Sequence, residues 1–420
     1  MFGARRALKH SSERSFATVL KSKGIGVFGA LGAGALDDRA TFEALDMGGL
    51  VPSKVAVGWG HSTVVTECGK LIVFGRPFDF NTIMRINGIH ESFGSGAART
   101  MNMLSLWIDK EAESGLYLKP IHMEGVEGVQ DVQASAGLTL ARTKSGQVWA
   151  FGLNRWGQCG SGDMSTHVFE PQRVRGLPVV LATDCGLQHC LALSEDGSVF
   201  AWGKGNRGQL GDELVDSSAS PVRVAMPRQV KAVGVSAGFA HSAALAEDGS
   251  VWVWGKGMSA DAKGDGSASA MMPSSAAIEL FEDQVFPRRL ALPGGRNAVQ
   301  VVSSIYTLAA LADDGSLWLM GMGEYDRNRL PDFIQVHDVY TEEEQAAVAG
   351  GAAFRGAVIP KGSQLLKGHN RITVLVGSVA LQAVLHAKEA FLQPFEGAPA
   401  ADTLSDLAVG WKHELALVEE

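Results

Sequence analysis

Between residues 186 and 211 the chain reads GLQHCLALSEDGSVFAWGKGNRGQLG, and residues 238–255 read GFAHSAALAEDGSVWVWG. In both stretches apolar and polar positions alternate with a period of two on either side of an Asp-Gly pair. That is the pattern of two half-buried strands joined by a tight turn. Asp196-Gly197 and Asp248-Gly249 suit the turn because glycine takes positive φ without a Cβ penalty. The predicted unit is Gly-x-x-His, a strand, the Asp-Gly turn, a second strand, and an aromatic-Gly pair.

The aromatic-Gly pair recurs at Phe28-Gly29, Phe74-Gly75, Phe151-Gly152, Trp202-Gly203, Trp254-Gly255, Met320-Gly321 and, in degenerate form, Val376-Gly377. The Gly-x-x-His start is intact at Gly58–His61, Gly186–His189, Gly238–His241 and Gly410–His413, with weaker copies beginning at Gly137, Ser304 and Gly351. Successive glycines of the aromatic-Gly pairs lie 46, 77, 51, 52, 66 and 56 residues apart. A period near 50 built from short paired strands predicts an all-β, seven-bladed β-propeller. Insertions then fall at 76–120 and in a small-residue loop at 258–277, which is expected to be mobile. Helices are expected over 340–350 and 378–391.

The termini predict how the ring closes. GWKHELALVEE ends at Glu419-Glu420, which align with Glu195-Asp196 just before a hairpin glycine. Residues 23–29, KGIGVFG, align with 197–203, the strand that follows such a glycine. The N-terminal strand is therefore expected to pair with the C-terminal blade, because an open ring would leave sheet faces and edges exposed. The propeller would span 23–420, and residues 1–22 would lie outside it as a basic extension.

Strings such as GFAHSAALAEDGSVWVWG and WGKGNRGQLG resemble the repeats of the regulator-of-chromosome-condensation family, and the pattern covers essentially residues 23–420. Kelch repeats would show a Gly-Gly pair and WD repeats a Trp-Asp ending, and neither recurs here. The resemblance implies three kinds of activity: guanine-nucleotide exchange on a small GTPase, ultraviolet-B sensing, and scaffolding in large assemblies. Mitochondrial members are associated with mitoribosome assembly and organelle GTPases. Trp59 and Trp411 resemble the tryptophan-bearing repeats of the ultraviolet-B receptor, but the aligned residues Leu138, Leu187 and Phe239 break the tryptophan cluster that light sensing needs.

Net charge adds a division within the chain. The formal charge is −8, yet Arg5, Arg6, Lys9, Arg14, Lys21 and Lys23 against Glu13 alone make residues 1–23 basic by +5. The acidic remainder disfavours direct nucleic-acid binding, since it has no counterion release to gain from phosphate backbones. An Arg- and Ser-rich, acid-poor start with Phe2, Leu8, Phe16 and Leu20 as an apolar stripe has the composition of a transit peptide. It predicts a mitochondrial protein of the matrix or the matrix face of the inner membrane, with plastid or cytoplasmic residence as alternatives. No apolar run reaches membrane-span length, and Cys68, Cys159, Cys185 and Cys190 match neither a zinc spacing nor a disulfide framework.

Candidate chemistry is sparse. Gly203–Gly208 satisfies G-x-G-x-x-G, but related glycines recur at Gly29 and Gly34 and at Gly152 and Gly157 with no βαβ unit, so inter-strand turns are expected. His61, His189, His241 and His413 occupy one repeat position, a blade width apart, too far to share a metal. They are expected to serve structure, as are Gly29, Gly75, Gly152, Gly203, Gly255 and Gly321. No catalytic residue, cofactor site or metal site is predicted. Partner binding is expected at the 76–120 insertion through Phe78, Phe80, Trp107 and Tyr117, because aromatic residues are enriched at interfaces. The predicted function is a protein-protein interaction platform, an accessory or assembly factor of a large mitochondrial complex such as the ribosome or a respiratory assembly. The alternative is exchange on a small organelle GTPase.

Overall fold

The computed structural model describes residues 18–76 except 27, 117–212, 216–256, 284–322 except 306, 329–337, 359, 361, 363–367, 372–376, 379–386, 389–394, 404–409 and 413–419. Among these residues the chain is all-β, with a single 3-10 turn at Pro293–Gly295. Four-stranded antiparallel sheets repeat along it in a propeller-like arrangement. The β3 sheet contains β3 (Pro52–Val57), β4 (His61–Thr66), β5 (Leu71–Gly75) and β6 (Tyr117–His122). The β7 sheet contains β7 (Val129–Ser135), β8 (Leu138–Thr143), β9 (Val148–Leu153) and β10 (His167–Arg173). The β11 sheet contains β11 (Val180–Cys185), β12 (His189–Ser194), β13 (Val199–Lys204) and β14 (Ser217–Arg223). The β15 sheet contains β15 (Ala232–Ala237), β16 (His241–Ala246), β17 (Val251–Gly255) and β18 (Gln284–Leu290).

An eight-stranded sheet follows. Its first four strands are β19 (Ala298–Ser303), β20 (Thr307–Ala312), β21 (Leu317–Met322) and β22 (Arg329–His337). Its second four are β23 (Gln364–Lys367), β24 (Ile372–Val376), β25 (Val379–His386) and β26 (Glu389–Pro394). A short parallel pairing of Val336 with Ala390 and His337 with Phe391 joins the two groups. The terminal sheet draws on both chain ends, in the order β2 (Arg39–Ala44), β1 (Thr18–Gly24), β28 (His413–Glu419), β27 (Leu404–Val409).

The registers correct four expectations. First, the N-terminal strand is Thr18–Gly24, not 23–29: Gly24 pairs with His413 as Gly203 pairs with His189. Leu20 and Ser22 are its buried residues, so TVLKSKG supplies the inward alternation of the strand that β28 pairs. Among the described residues the sheet region therefore begins at Thr18, and Phe28-Gly29 lies in the turn after the strand, where Gly29 N–H bonds Gly26 O as Gly208 N–H bonds Gly205 O. Second, Leu138 pairs with Gly152 and so occupies the histidine position, which places the start of that repeat at Ser135 rather than Gly137. Third, 378–391 forms β25 and β26 instead of a helix. Val379, Leu381, Ala383 and Leu385 alternate with period two, and pairing with β24 selects the strand. Fourth, Val376 ends the second strand of its group, so Val376-Gly377 is not the aromatic-Gly position.

The core lies between neighbouring sheets. Phe74, Phe151, Trp202, Trp254 and Met320 end the third strands and are buried against the preceding sheet or its turns. Trp202 Nε1 donates to Gln158 O and Trp254 Nε1 to Gln209 O, both at 2.9 Å. Each indole thus buries its ring and satisfies its one polar atom on the turn of the sheet before it. No helix among the described residues is long and apolar enough to cross a membrane.

Candidate functional site

The first strand of each group lines a central cavity of ≈ 290 Å³, whose lining includes Lys54, Asp131, Asp184, Lys367 and Asp406. Across it runs one dominant interaction. The Lys367 ammonium, on β23, donates to Asp184 Oδ1 and Oδ2 on β11 at 2.9 and 3.0 Å, to Cys185 O at 2.7 Å, and to Ala237 O on β15. Asp184 also accepts from Cys185 N (2.8 Å), Ser236 Oγ (2.9 Å) and Ala237 N (2.8 Å). Ser236 Oγ in turn accepts from Ser303 N on β19 at 2.8 Å. The carboxylate is 8 % exposed and fully bonded, so both charges are consumed in tying together strands from four groups.

Elsewhere in the cavity Lys54, on β3, lies between Asp406 of β27 and Asp131 of β7. Burial raises the Asp406 carboxyl, and the Lys54 charge and the Leu407 N–H oppose that shift. Arg142 faces Asp131 at 3.8 Å.

The four repeat histidines form a buried belt. His413 Nε2 lies 3.0 Å from Ser62 Oγ, His61 Nε2 3.0 Å from Thr139 Oγ1, and His189 Nε2 2.9 Å from Ser242 Oγ. Each partner is the second residue of the corresponding strand in the next sheet. At that position β20 has Leu308, and His241 Nε2 has no hydrogen-bond partner. Burial holds His61, His189 and His241 down to about 3 and His413 to about 4, so all four are neutral at physiological pH. The glycine of Gly-x-x-His leaves room for the ring: a Cβ on Gly186 would approach His189 Cε1 to 2.6 Å. Gly75, Gly152, Gly203, Gly255 and Gly321 pair with His61, Leu138, His189, His241 and Thr307.

At the cavity end where the first strands begin, the register of every first strand but β23 shifts by one residue, leaving a bulged position. In β11, β15 and β19 that residue is Leu181, Val233 or Val299, each about half exposed; in β3, β7 and β27 it is Ser53, Gln130 or Ser405. The hairpin turns between second and third strands lie at the same end. Glu195 N–H bonds Val179 O, Glu247 N–H bonds Lys231 O, and Asp313 N–H bonds Asn297 O.

Of the aromatic partner candidates, Tyr117 opens β6 and pairs with Gly75, while Phe78, Phe80 and Trp107 lie outside the described residues, as do 258–277 and 340–350. Trp59 is 4 % exposed with its backbone N–H bonded to Ala136 O, and the Leu138–Gly152 pairing makes Ala136 its counterpart in the next sheet. Sequence reasoning missed the Lys367–Asp184 tie and the exposed aliphatic row. The row had a visible signal: VVLAT, KAVGV and AVQVV each place one apolar residue out of alternation.

Models of the regulator of chromosome condensation (RCC1) repeat match residues 145–193 and 196–245, and a second such model matches 180–209. The chain is 29% identical over 205 residues to the "RCC1 domain-containing protein RUG3, mitochondrial" of Arabidopsis thaliana, covering 48% of this chain and 42% of that one. It is 27% identical over 310 residues to the "Ultraviolet-B receptor UVR8" of the same plant, covering 71% and 66%. Among solved structures, human WBSCR16 superposes with a TM-score of 0.66 at 16% identity over 96% of this chain and 99% of that one. Prp20p from Saccharomyces cerevisiae gives the same score and identity over 96% and 92%. At such identity the two structures speak for the fold alone. With its Gly-x-x-His starts, its aromatic-Gly strands and the matched segments, the chain carries regulator of chromosome condensation (RCC1) repeats within residues 145–245 and is similar to RCC1-domain proteins.

Proposed function

We propose that the chain is a seven-bladed ring that works as a protein-protein interaction platform in mitochondria, as an accessory or assembly factor of a large complex such as the ribosome or a respiratory assembly. The observation that carries this reading is the Lys367–Asp184 tie: a cation and an anion of the central cavity are spent on holding blades together, which leaves rims and loops for recognition. Closure is supported by the contact sequence of first strands: β3 with β7, β7 with β11, β11 with β15, β15 with β19, β19 with β23, β23 with β27, and β27 with β3. The mitochondrial assignment draws on the printed name of the RUG3 relative and on the basic, acid-poor residues 1–17, read as a targeting segment.

Affinity purification from mitochondrial extract, followed by identification of bound proteins, tests the platform. A stable, reproducible set of partners is expected. Migration solely as a free monomer overturns it.

Nucleotide exchange is the second reading. It is favoured by the length of the segment between the register partners Gly75 and Tyr117, about 41 residues of sequence available to a partner. A nucleotide-release assay with organelle GTPases decides it: no acceleration removes it.

A further inference from the structure

The exposed bulge residues repeat with a chemistry that the platform reading does not itself require. On three consecutive sheets, β11, β15 and the β19 group, an aliphatic side chain stands half exposed at the same structural position: Leu181 at 51%, Val233 at 53% and Val299 at 50%. Val179, 48% exposed, extends the row on the β11 sheet. Exposed branched aliphatics on three adjacent first strands form one contiguous arc at one end of the cavity, where contiguity distinguishes a docking surface from scattered exposure.

An acid accompanies each of these residues. Glu195, Glu247 and Asp313, all exposed, are held by backbone bonds to Val179, Lys231 and Asn297, each two residues before the bulged aliphatic of its own sheet. None of the three carboxylates has a side-chain hydrogen bond or ion pair among the described residues. Their neighbours Asp196, Asp248 and Asp314 are engaged otherwise, bonding Ser198, Ser250 and Ser316 of their own turns and facing Arg223, Arg289 and Arg296. Lys231 lies within the row as a cation, and Arg296 borders it with its charge taken by Asp314. The repeat therefore offers aliphatic, acid, aliphatic, acid, aliphatic, acid. On the other side of the same end, the polar Ser53, Gln130 and Ser405 take the bulge and Lys144 replaces the acid in the β7 turn, while Glu67 and Val51 keep the acid and its aliphatic neighbour in the β3 sheet without an aliphatic bulge.

We propose that this arc docks a segment of a partner protein in which aliphatic side chains are interspersed with lysine or arginine. The aliphatics would cover Leu181, Val233 and Val299, and the cations would reach Glu195, Glu247 and Asp313. The inference rests on the platform reading and specifies its partner. Charge complementarity selects a basic protein segment over a nucleic acid, whose phosphates the same carboxylates repel.

The test places a photoreactive benzoylphenylalanine at position 233 of the full chain, with position 53 as the control. Each protein is irradiated in mitochondrial extract, and the cross-linked residues are mapped by mass spectrometry. Linkage from position 233 to partner segments carrying aliphatics with Lys or Arg within a few residues is expected. Its yield should fall at least fivefold with L181E/V299E and severalfold at 0.5 M salt, since screening shortens the reach of the carboxylates. Several outcomes overturn the proposal: a yield no higher than from position 53, linkage to acidic segments, linkage to a second copy of this chain, or linkage to its own residues 1–17. Proteins that co-purify with V233E are identified in parallel. An unchanged partner set with no cross-link removes this surface and leaves the platform standing, whereas an empty set from the unaltered chain removes the platform itself.

Discussion

Lys367 and Asp184, 183 positions apart in the sequence, meet at 2.9 and 3.0 Å across the central cavity, with the ammonium also capping the carbonyls of Cys185 and Ala237. Removing the ammonium while keeping the carboxylate leaves a buried anion with only neutral donors. Lys367→Met is expected to lower stability by about 2–4 kcal/mol, read as a shift of the urea midpoint. Adding Asp184→Asn should recover part of that loss, because the amide carries no charge to strand.

The belt of neutral histidines sets a pH dependence. Each folded-state pKa, about 3 or about 4, lies below the unfolded value of about 6.5, so the unfolded chain binds more protons between those limits. Stability is then full above about pH 6.5 and falls as pH drops toward 4, with a limiting slope of about 1.4 kcal/mol per pH unit for each histidine. Melting curves from pH 7.5 to 4.5 should show this fall. It precedes any loss from Asp196 and Asp314, whose carboxyls are held at about 2 by serine hydroxyls and neighbouring N–H groups.

Ser242 ties its sheet to the β11 sheet by two bonds: its Oγ lies 2.9 Å from His189 Nε2 and donates to Gln209 O at 2.8 Å. Ser242→Ala leaves both without that partner and should cost about 1–3 kcal/mol. His241 has no such hydroxyl opposite Nε2, so His241→Leu is expected to destabilise less than His189→Leu in the same unfolding assay.

The pairing of Thr18–Gly24 with His413–Glu419 predicts a sharp boundary for truncation. A chain starting at Thr18 should keep its melting temperature. A chain starting at Ile25 leaves β28 with an unpaired edge and should lose cooperative melting and aggregate, which light scattering during the melt will detect.

The sequence displayed the repeat because its signals are local: an Asp-Gly turn, an alternation and a glycine beneath a histidine all lie within about twenty residues of one another. The β11 and β15 sheets were legible strand by strand for that reason. At the N-terminus the same signals misled. Phe28-Gly29 imitates the end of a third strand, yet Leu20 and Ser22 fill the buried slots and pull the register five residues earlier. At 379–394 alanine and leucine serve helix and strand alike, and only the neighbouring β24 decides. The cavity tie was hidden for another reason: no periodicity links Lys367 to Asp184, whose meeting depends on groups well apart along the chain facing one opening.

Because β1 pairs with β2 on one side and with β28 on the other, one of its edges stays open until His413–Glu419 has been made. A product that stops before His413 therefore carries an unsatisfied strand edge of the kind that proteases and chaperones recognise. The fold in this way reports on its own completeness.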